Sequence, residues 1–332
     1  MKKVKRSFLR LVSALTLGLA MLGSPVGPVA LAAAPIVQTQ GPGYYRTMIG
    51  DYEVTALLDG THAFPVDTVV EGMPKDQMHE YLEQDFLKLP VQGSINAFLV
   101  NTGSKLVLID AGAGSLYGDC CGRLIEHLRA AGYRPEQVDE IYLTHMHMDH
   151  IGGVSANGKA LFPNAVLHAN RVEAGYWLNA ENKAKAPAFL APFFDDAVAA
   201  VAPYQAAHRF QTFAGDTEVV PGITAIQTPG HTPGHVSYVV KRNGQTLIVW
   251  GDIVHVAALQ LREPEITVKY DSDAGAAKQA RKRVFDDAVR DRTMIAAAHI
   301  AFPGLGHLRR SGERFEWVPL NYEGDVGQDV GK

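Results

Sequence analysis

The sequence predicts an α/β layered domain, and two observations carry that reading. Short apolar, β-prone runs recur in two groups, over 52–58, 95–110 and 140–169 and again over 223–250 and 294–298, with helical stretches between and after them. Several runs end in a histidine or an aspartate, and in open α/β architectures ligands collect at the carboxyl ends of strands. No linker and no short-period repeat divides the chain, so residues 33–332 are expected to form one domain, long enough for a sizeable core. A hydrophobic content of 47% agrees with an ordinary globular protein.

The elements follow in order. Lys2, Lys3, Lys5, Arg6 and Arg10 precede a short apolar run, Leu11 to Leu22, and Ala30-Leu31-Ala32 supplies a cleavage site. Residues 1–32 therefore read as a signal peptide, with export, most simply to a periplasm, as the expected destination. Loss of those five basic residues takes the formal charge from −4 to −9. Such an acidic chain is a poor partner for nucleic acid or anionic membranes. The segment 33–50, Pro/Gln/Gly-rich as far as Gly43, is expected as an N-terminal arm.

Tyr52 to Leu58 alternates as a strand and is expected to stop at the turn Asp59-Gly60. Helical spacing of Met78, Tyr81, Leu82 and Phe86 places a helix within 67–89. Ile95 to Asn101 and Lys105 to Asp110 read as a hairpin, and Arg123 to Gly132 as an amphipathic helix closed by its glycine. A short strand at 165–169, a helix over 170–178 and helical pieces over 180–207, across the mouth of the site, come next. Val236 to Val240 and Gln245 to Trp250 read as a hairpin across Asn243-Gly244, a strong two-residue turn signal. A helix over 274–289 precedes Met294 to Ala298, expected as the final core strand.

One stretch organises the rest. Thr144-His145-Met146-His147-Met148-Asp149-His150 crowds three imidazoles and a carboxylate behind the strand Glu140 to Thr144. Neutral imidazole and carboxylate are the donors that borderline divalent ions such as zinc prefer. His145 and His147 can point together, with Asp149 and His150 directed at a neighbouring site. His235 after a Pro-Gly turn, Asp252 after a strongly apolar strand and His299 at the end of another are further candidates, because a ligand role offsets the cost of burying them. The two cysteines, Cys120 and Cys121, are adjacent and cannot complete a thiolate site. They are expected to pack locally or to bridge two copies, since a bond between neighbours closes a strained ring.

The pattern His145-x-His147-x-Asp149-His150 before Gly152-Gly153 resembles the signature of the metallo-β-lactamase superfamily. Gly43-Tyr44-Tyr45-Arg46, Leu58-Asp59-Gly60, Leu106 to Asp110, Thr232-Pro233-Gly234-His235 and Phe302-Pro303-Gly304 are similar to methyl parathion hydrolase and its secreted lactonase and arylesterase relatives. The resemblance implies a four-layered αββα sandwich with a dinuclear site at the edge between two sheets. It implies that His145, His147 and His235 bind one ion, that Asp149, His150 and His299 bind a second, and that Asp252 bridges both. Asp110 would orient a ligand histidine from behind, and His231 would stand outside the ligand set.

Two divalent ions, zinc expected first, would share a hydroxide as the nucleophile on neutral esters: lactones, aryl esters and organophosphate triesters such as methyl parathion. Asp149 and Asp252 are the catalytic carboxylates of this reading. Tyr117, Trp177, Phe193, Phe194 and His255 are the candidate pocket walls, where aromatic surface suits a neutral, aryl-bearing ester. A homodimer is included among the expected partners. The alternatives are a thioester hydrolase or a β-lactamase on the same scaffold, and, in another class, a non-catalytic metal-binding protein. The absence of G-x-S-x-G leaves no serine-based competitor.

Overall fold

The computed structural model describes residues 34–326, so the expected signal peptide lies outside the described residues. The chain divides at Gln40 into two units, and every element below belongs to the second. Within the expected N-terminal arm, Tyr44–Ile49 is a strand paired antiparallel with Tyr52–Phe64. Tyr45 and Ile49 are buried in the core between the sheets, which an unpaired arm would not allow.

The expected turn at Asp59-Gly60 is not a turn. The strand Tyr52–Phe64 runs through it, with a register shift between Leu58 and Gly60. Asp59 is fully buried. Its carboxylate accepts backbone N–H groups from Ala113, Gly114, Gly122 and Leu124. The bulge re-aims one side chain to hold two loops, a common use of such irregularities.

Two seven-stranded sheets face each other, each with strands in sequence order. The first comprises Tyr44–Ile49, Tyr52–Phe64, Val91–Asn101, Leu106–Ile109, Glu140–Tyr142, Val166–Asn170 and Phe210–Phe213. The second comprises Thr217–Val220, Ile223–Gln227, Val236–Arg242, Gln245–Val249, Met294–Ala296, Leu305–Ser311 and Arg314–Pro319. In each, antiparallel hairpins lead to the fourth strand, which then pairs in parallel with the fifth. The expected final strand, Met294 to Ala298, is therefore not the last, since a hairpin follows it. That hairpin alternates buried and exposed positions only weakly and carries Arg309, Arg310 and Arg314, which hides it in a hydrophobic pattern.

Three of the apolar clusters are stacked as layers. Val54, Phe98, Val107 and Ile109 meet Ile223, Tyr238, Val240 and Val249 between the sheets. The outer face of the first sheet is covered by Leu124–Ala130, Arg171–Trp177 and Ala191–Ala206, and that of the second by Ala274–Asp291. This is the αββα sandwich. The helix expected within 67–89 is Lys75–Gln84, and the predicted hairpin turn at Asn243-Gly244 has both residues at positive φ. Among the described residues, no helix is long and apolar enough to cross a membrane.

Candidate metal centre

The loop after Glu140–Tyr142 is held before any ion is considered. Asp110 follows the fourth strand of the first sheet at φ 60 and accepts the Thr144 N–H and hydroxyl, each at 2.8 Å. His150 donates Nδ1–H to Asp110 Oδ2 at 2.8 Å, which turns its Nε2 toward Asp252. His147 occupies the N-cap position of the short helix Met148–Ile151, whose single turn delivers Asp149 and His150. Gly153 packs so closely that a Cβ would stand 1.9 Å from the Ala111 carbonyl oxygen, so the loop after the motif needs glycine there.

Two clusters result. One joins His145, His147, His231 and Asp252, and the other joins Asp149, His150 and His299; within each, one donor atom per residue lies within 4.8 Å of the others. Asp252 stands between them. Its Oδ2 lies 3.6 Å from His145 Nε2 and 3.2 Å from His231 Nε2. Its Oδ1 lies 3.0 Å from His150 Nε2 and 3.1 Å from His299 Nε2.

The expected member His235 is not in either cluster. Its Nε2 accepts the backbone N–H of Asp252 at 3.0 Å and its Nδ1 faces the Thr228 hydroxyl at 2.8 Å, so both ring nitrogens are spent inside the protein. His231 stands in its place, with Nδ1 at 2.8 Å from Asp271 Oδ1. The segment Pro229 to His235 offers two Pro/Gly-flanked histidines, and nothing local distinguishes them. The choice is made by packing. Gly234 donates its N–H to Glu173, and Gly251, at φ +59, presses so close to His235 that a Cβ there would meet its Nε2 at 2.6 Å.

The charges of the site suit a cation. Burial drives His145 and His147 well below the usual imidazole range, so both present neutral lone pairs. Burial, joined by His231, takes His235 down to about 3. Burial opposes ionisation of Asp252, but His150 and His299 outweigh it and hold the carboxylate charged. Against the same burial, Asp252 and Asp271 raise His231 to about 9, so an ion held there would take the place of its ring proton. Nε2 of His145, His147 and His150 and Oδ1 of Asp252 are buried without hydrogen-bond partners. A single orphan of this kind costs roughly 1–3 kcal/mol. Those of His145, His150 and Asp252 lie together, with both ring nitrogens within 3.6 Å of the Asp252 carboxylate, and are explained by divalent ions, which imidazole and carboxylate donors fit.

Three carboxylates outside the clusters were not legible in this role. Asp271 supports His231 as Asp110 supports His150. Glu173, fully buried, accepts N–H groups from Met146, Gly234 and the Trp177 indole, and so ties both histidine loops to one helix. Asp59 is the third. Each is an acidic residue in a mixed sequence whose partners are tens of residues away, which leaves no local signal.

A cavity of about 310 Å³ opens onto Asp149, Asp252 and His299. Tyr117, Phe193 and His255 line it as expected, together with Tyr270. His255 is more than a wall, since its Nε2 lies 3.1 Å from Asp252 Oδ2. Trp177 and Phe194 do not line it. Both are buried in the core beneath helix Ala191–Ala206, with ring centroids 4.6 Å apart. Trp177 reaches the site by meeting His147 edge-on at 5.0 Å.

Residues 90–299 match the model of the metallo-β-lactamase superfamily. An N-acyl homoserine lactonase of Bacillus thuringiensis is 30% identical over 128 residues, 38% of this chain and 43% of that protein, so the match spans less than half of the relative. A probable metallo-hydrolase of Mycobacterium tuberculosis is 28% identical over 48% of this chain and 59% of its own length. Among solved structures, the hydrolase AbOPH of the β-lactamase superfamily has a TM-score of 0.82 at 40% identity, over 86% of this chain and all of that one. The dizinc quorum-quenching lactonase AidC shares the fold, with a TM-score of 0.78 at 24% identity over 85% of this chain and 98% of its own. With its two facing sheets, its paired His/Asp clusters and a family match across most of its length, this chain belongs to the metallo-β-lactamase superfamily.

Proposed function

We propose that the protein is an exported dinuclear hydrolase of neutral esters, with lactones foremost and aryl esters and phosphotriesters as further substrates. The observation that carries this reading is Asp252, an ionised carboxylate whose two oxygens face separate histidine clusters. His145, His147 and His231 with Oδ2 of Asp252 would hold one ion, and Asp149, His150 and His299 with Oδ1 the other. Zinc suits this donor set. Two such ions supply Lewis acidity and an activated water at neutral pH.

The chain's own residues do the remaining work. Asp110 and Asp271 fix the ring direction and tautomer of His150 and His231. Asp149 lines the cavity beside Asp252, so an ester lodged there meets both carboxylates. Tyr117, Phe193 and Tyr270 together with Ile95, Val256 and Ile300 give it aromatic and aliphatic walls. Among the described residues, no lysine or arginine lines the cavity. Anionic phosphates are usually gripped by Arg forks or Lys, whereas an apolar wall favours ligands that lose little on desolvation. The named lactonases among the relatives support the lactone as the leading substrate.

The test is kcat/KM of zinc-loaded protein across a lactone, an aryl ester, a phosphotriester, a thioester and a β-lactam, with the same aryl group also carried as phosphodiester and monoester. The neutral esters should lead. A rate that climbs with negative charge, or a thioester or β-lactam that outruns every neutral ester, would overturn the assignment.

A further inference from the structure

Cys120 and Cys121 lie at the end of the turn Gly118–Cys120, half-buried against the long strand Tyr52–Phe64. The turn fits there because residue 60 is glycine, since a Cβ would come 2.1 Å from the Cys120 carbonyl oxygen. The two sulfurs are 2.7 Å apart. The Cys120 thiol donates to the Tyr117 carbonyl at 3.3 Å. Tyr117 in turn lies against His62, ring centroids 4.7 Å apart, and both line the cavity. On the other side, Gly122 donates its N–H to Asp59 at 3.0 Å. The segment 117–122 is thus tied at one end by a buried carboxylate and at the other by a thiol hydrogen.

We propose that Cys120 and Cys121 are a reversible modification site: a dithiol that a small-molecule or protein disulfide oxidises to a ring, releasing Tyr117 from the cavity wall. Cys120 attacks one sulfur of the oxidant and expels a thiol. Cys121 then displaces the second sulfur of the mixed disulfide. One S–S bond forms in the protein, one breaks in the oxidant, and two thiols leave with the two protons. Burial and the neighbouring sulfur hold the Cys121 thiol above its usual range, which makes it the poorer first attacker and leaves that step to Cys120. Adjacent Cα atoms are about 3.8 Å apart, closer than the roughly 4.4–6.8 Å of ordinary disulfides, so the ring turns the peptide within it. Strained disulfides are the labile, regulatory ones. Oxidation also consumes the hydrogen that Cys120 donates to Tyr117. The side-chain hydrogen bonds of segment 117–122 go to none of the clustered histidines or aspartates, so the effect should fall on substrate binding.

The experiment equilibrates the zinc-loaded full chain in glutathione buffers of rising disulfide fraction. Intact mass and thiol alkylation read the bond independently of any hydrolysis, so a failure of the ester assignment leaves this readout standing. The expected result is loss of two hydrogens and of both alkylatable thiols in a species with no added glutathione and no intermolecular bridge, reversed by dithiothreitol. KM for an aryl ester should rise several-fold with little change in kcat, and Cys120→Ser and Cys121→Ser should be insensitive to the buffer. Two thiols that stay alkylatable, a stable mixed disulfide, or a disulfide-linked dimer would overturn the site. A ring that forms without changing KM would overturn its coupling to Tyr117.

Discussion

Asp110 and Asp252 occupy matching places in the two sheets, each just beyond the fourth strand, and their surroundings are opposite. Asp110 is saturated by the protein. Its Oδ1 accepts the Thr144 N–H and its Oδ2 faces the Thr144 hydroxyl and His150 Nδ1. Asp252 leaves Oδ1 without a hydrogen bond, in a space ringed by imidazole nitrogens. A buried carboxylate is tolerated when its oxygens are satisfied and is costly when they are not. The saturated one therefore orients a neighbour, and the open one is placed to bind a cation. The repeated placement also agrees with an internal duplication of one hairpin-and-crossover unit, in which the two copies have taken different tasks.

The largest effect should come from the open carboxylate. Asp252→Ala is expected to lose metal from both clusters and to bring activity to background, with elemental analysis against wild type as the readout; full metal retention would break the comparison at its centre. Next comes the choice between the two histidines of one loop. His231→Ala should lose metal from one cluster, while His235→Ala should keep wild-type stoichiometry and lose stability by about 1–3 kcal/mol, because the Asp252 N–H is left without an acceptor. Denaturant melts of both variants, beside their metal content, separate the outcomes.

The saturated carboxylates should matter less than any donor. Asp110→Asn and Asp271→Asn are each expected to weaken metal affinity roughly 10–100-fold, as measured by chelator competition, each acting through its own histidine. Equal affinity in Asp110→Asn and wild type would show that the Thr144 contacts alone hold the loop. The smallest change should follow Phe193→Ala. Its ring meets His147 edge-on at 5.1 Å and lines the cavity, so KM for aryl esters should rise while metal content stays constant.

Much of the centre was legible in the residues themselves. His145 to His150 form a dense local motif, and Asp110, Asp252 and His299 stand out as polar residues closing apolar strands. Strand ends, turn dipeptides and burial costs are short-range properties, and the α/β layering follows from their order. The aromatic wall was only half legible. Phe193 and Phe194 are neighbours on one helix, yet one faces the cavity and the other the core. Successive residues on a helix point in different directions, and which direction is the cavity depends on what the helix packs against.

The amino-acid sequence by itself determined the donor types, their delivery at strand ends and the layered class, because these depend on neighbours in the chain. Only the tertiary structure decided which histidine of Pro229 to His235 faces Asp252. That outcome rests on Asp271, 40 residues from His231, on Glu173, 61 residues from Gly234, and on the missing side chain of Gly251 beside His235. A ring's direction after a turn is set by the groups that close around it, and those groups meet only when the sheets do.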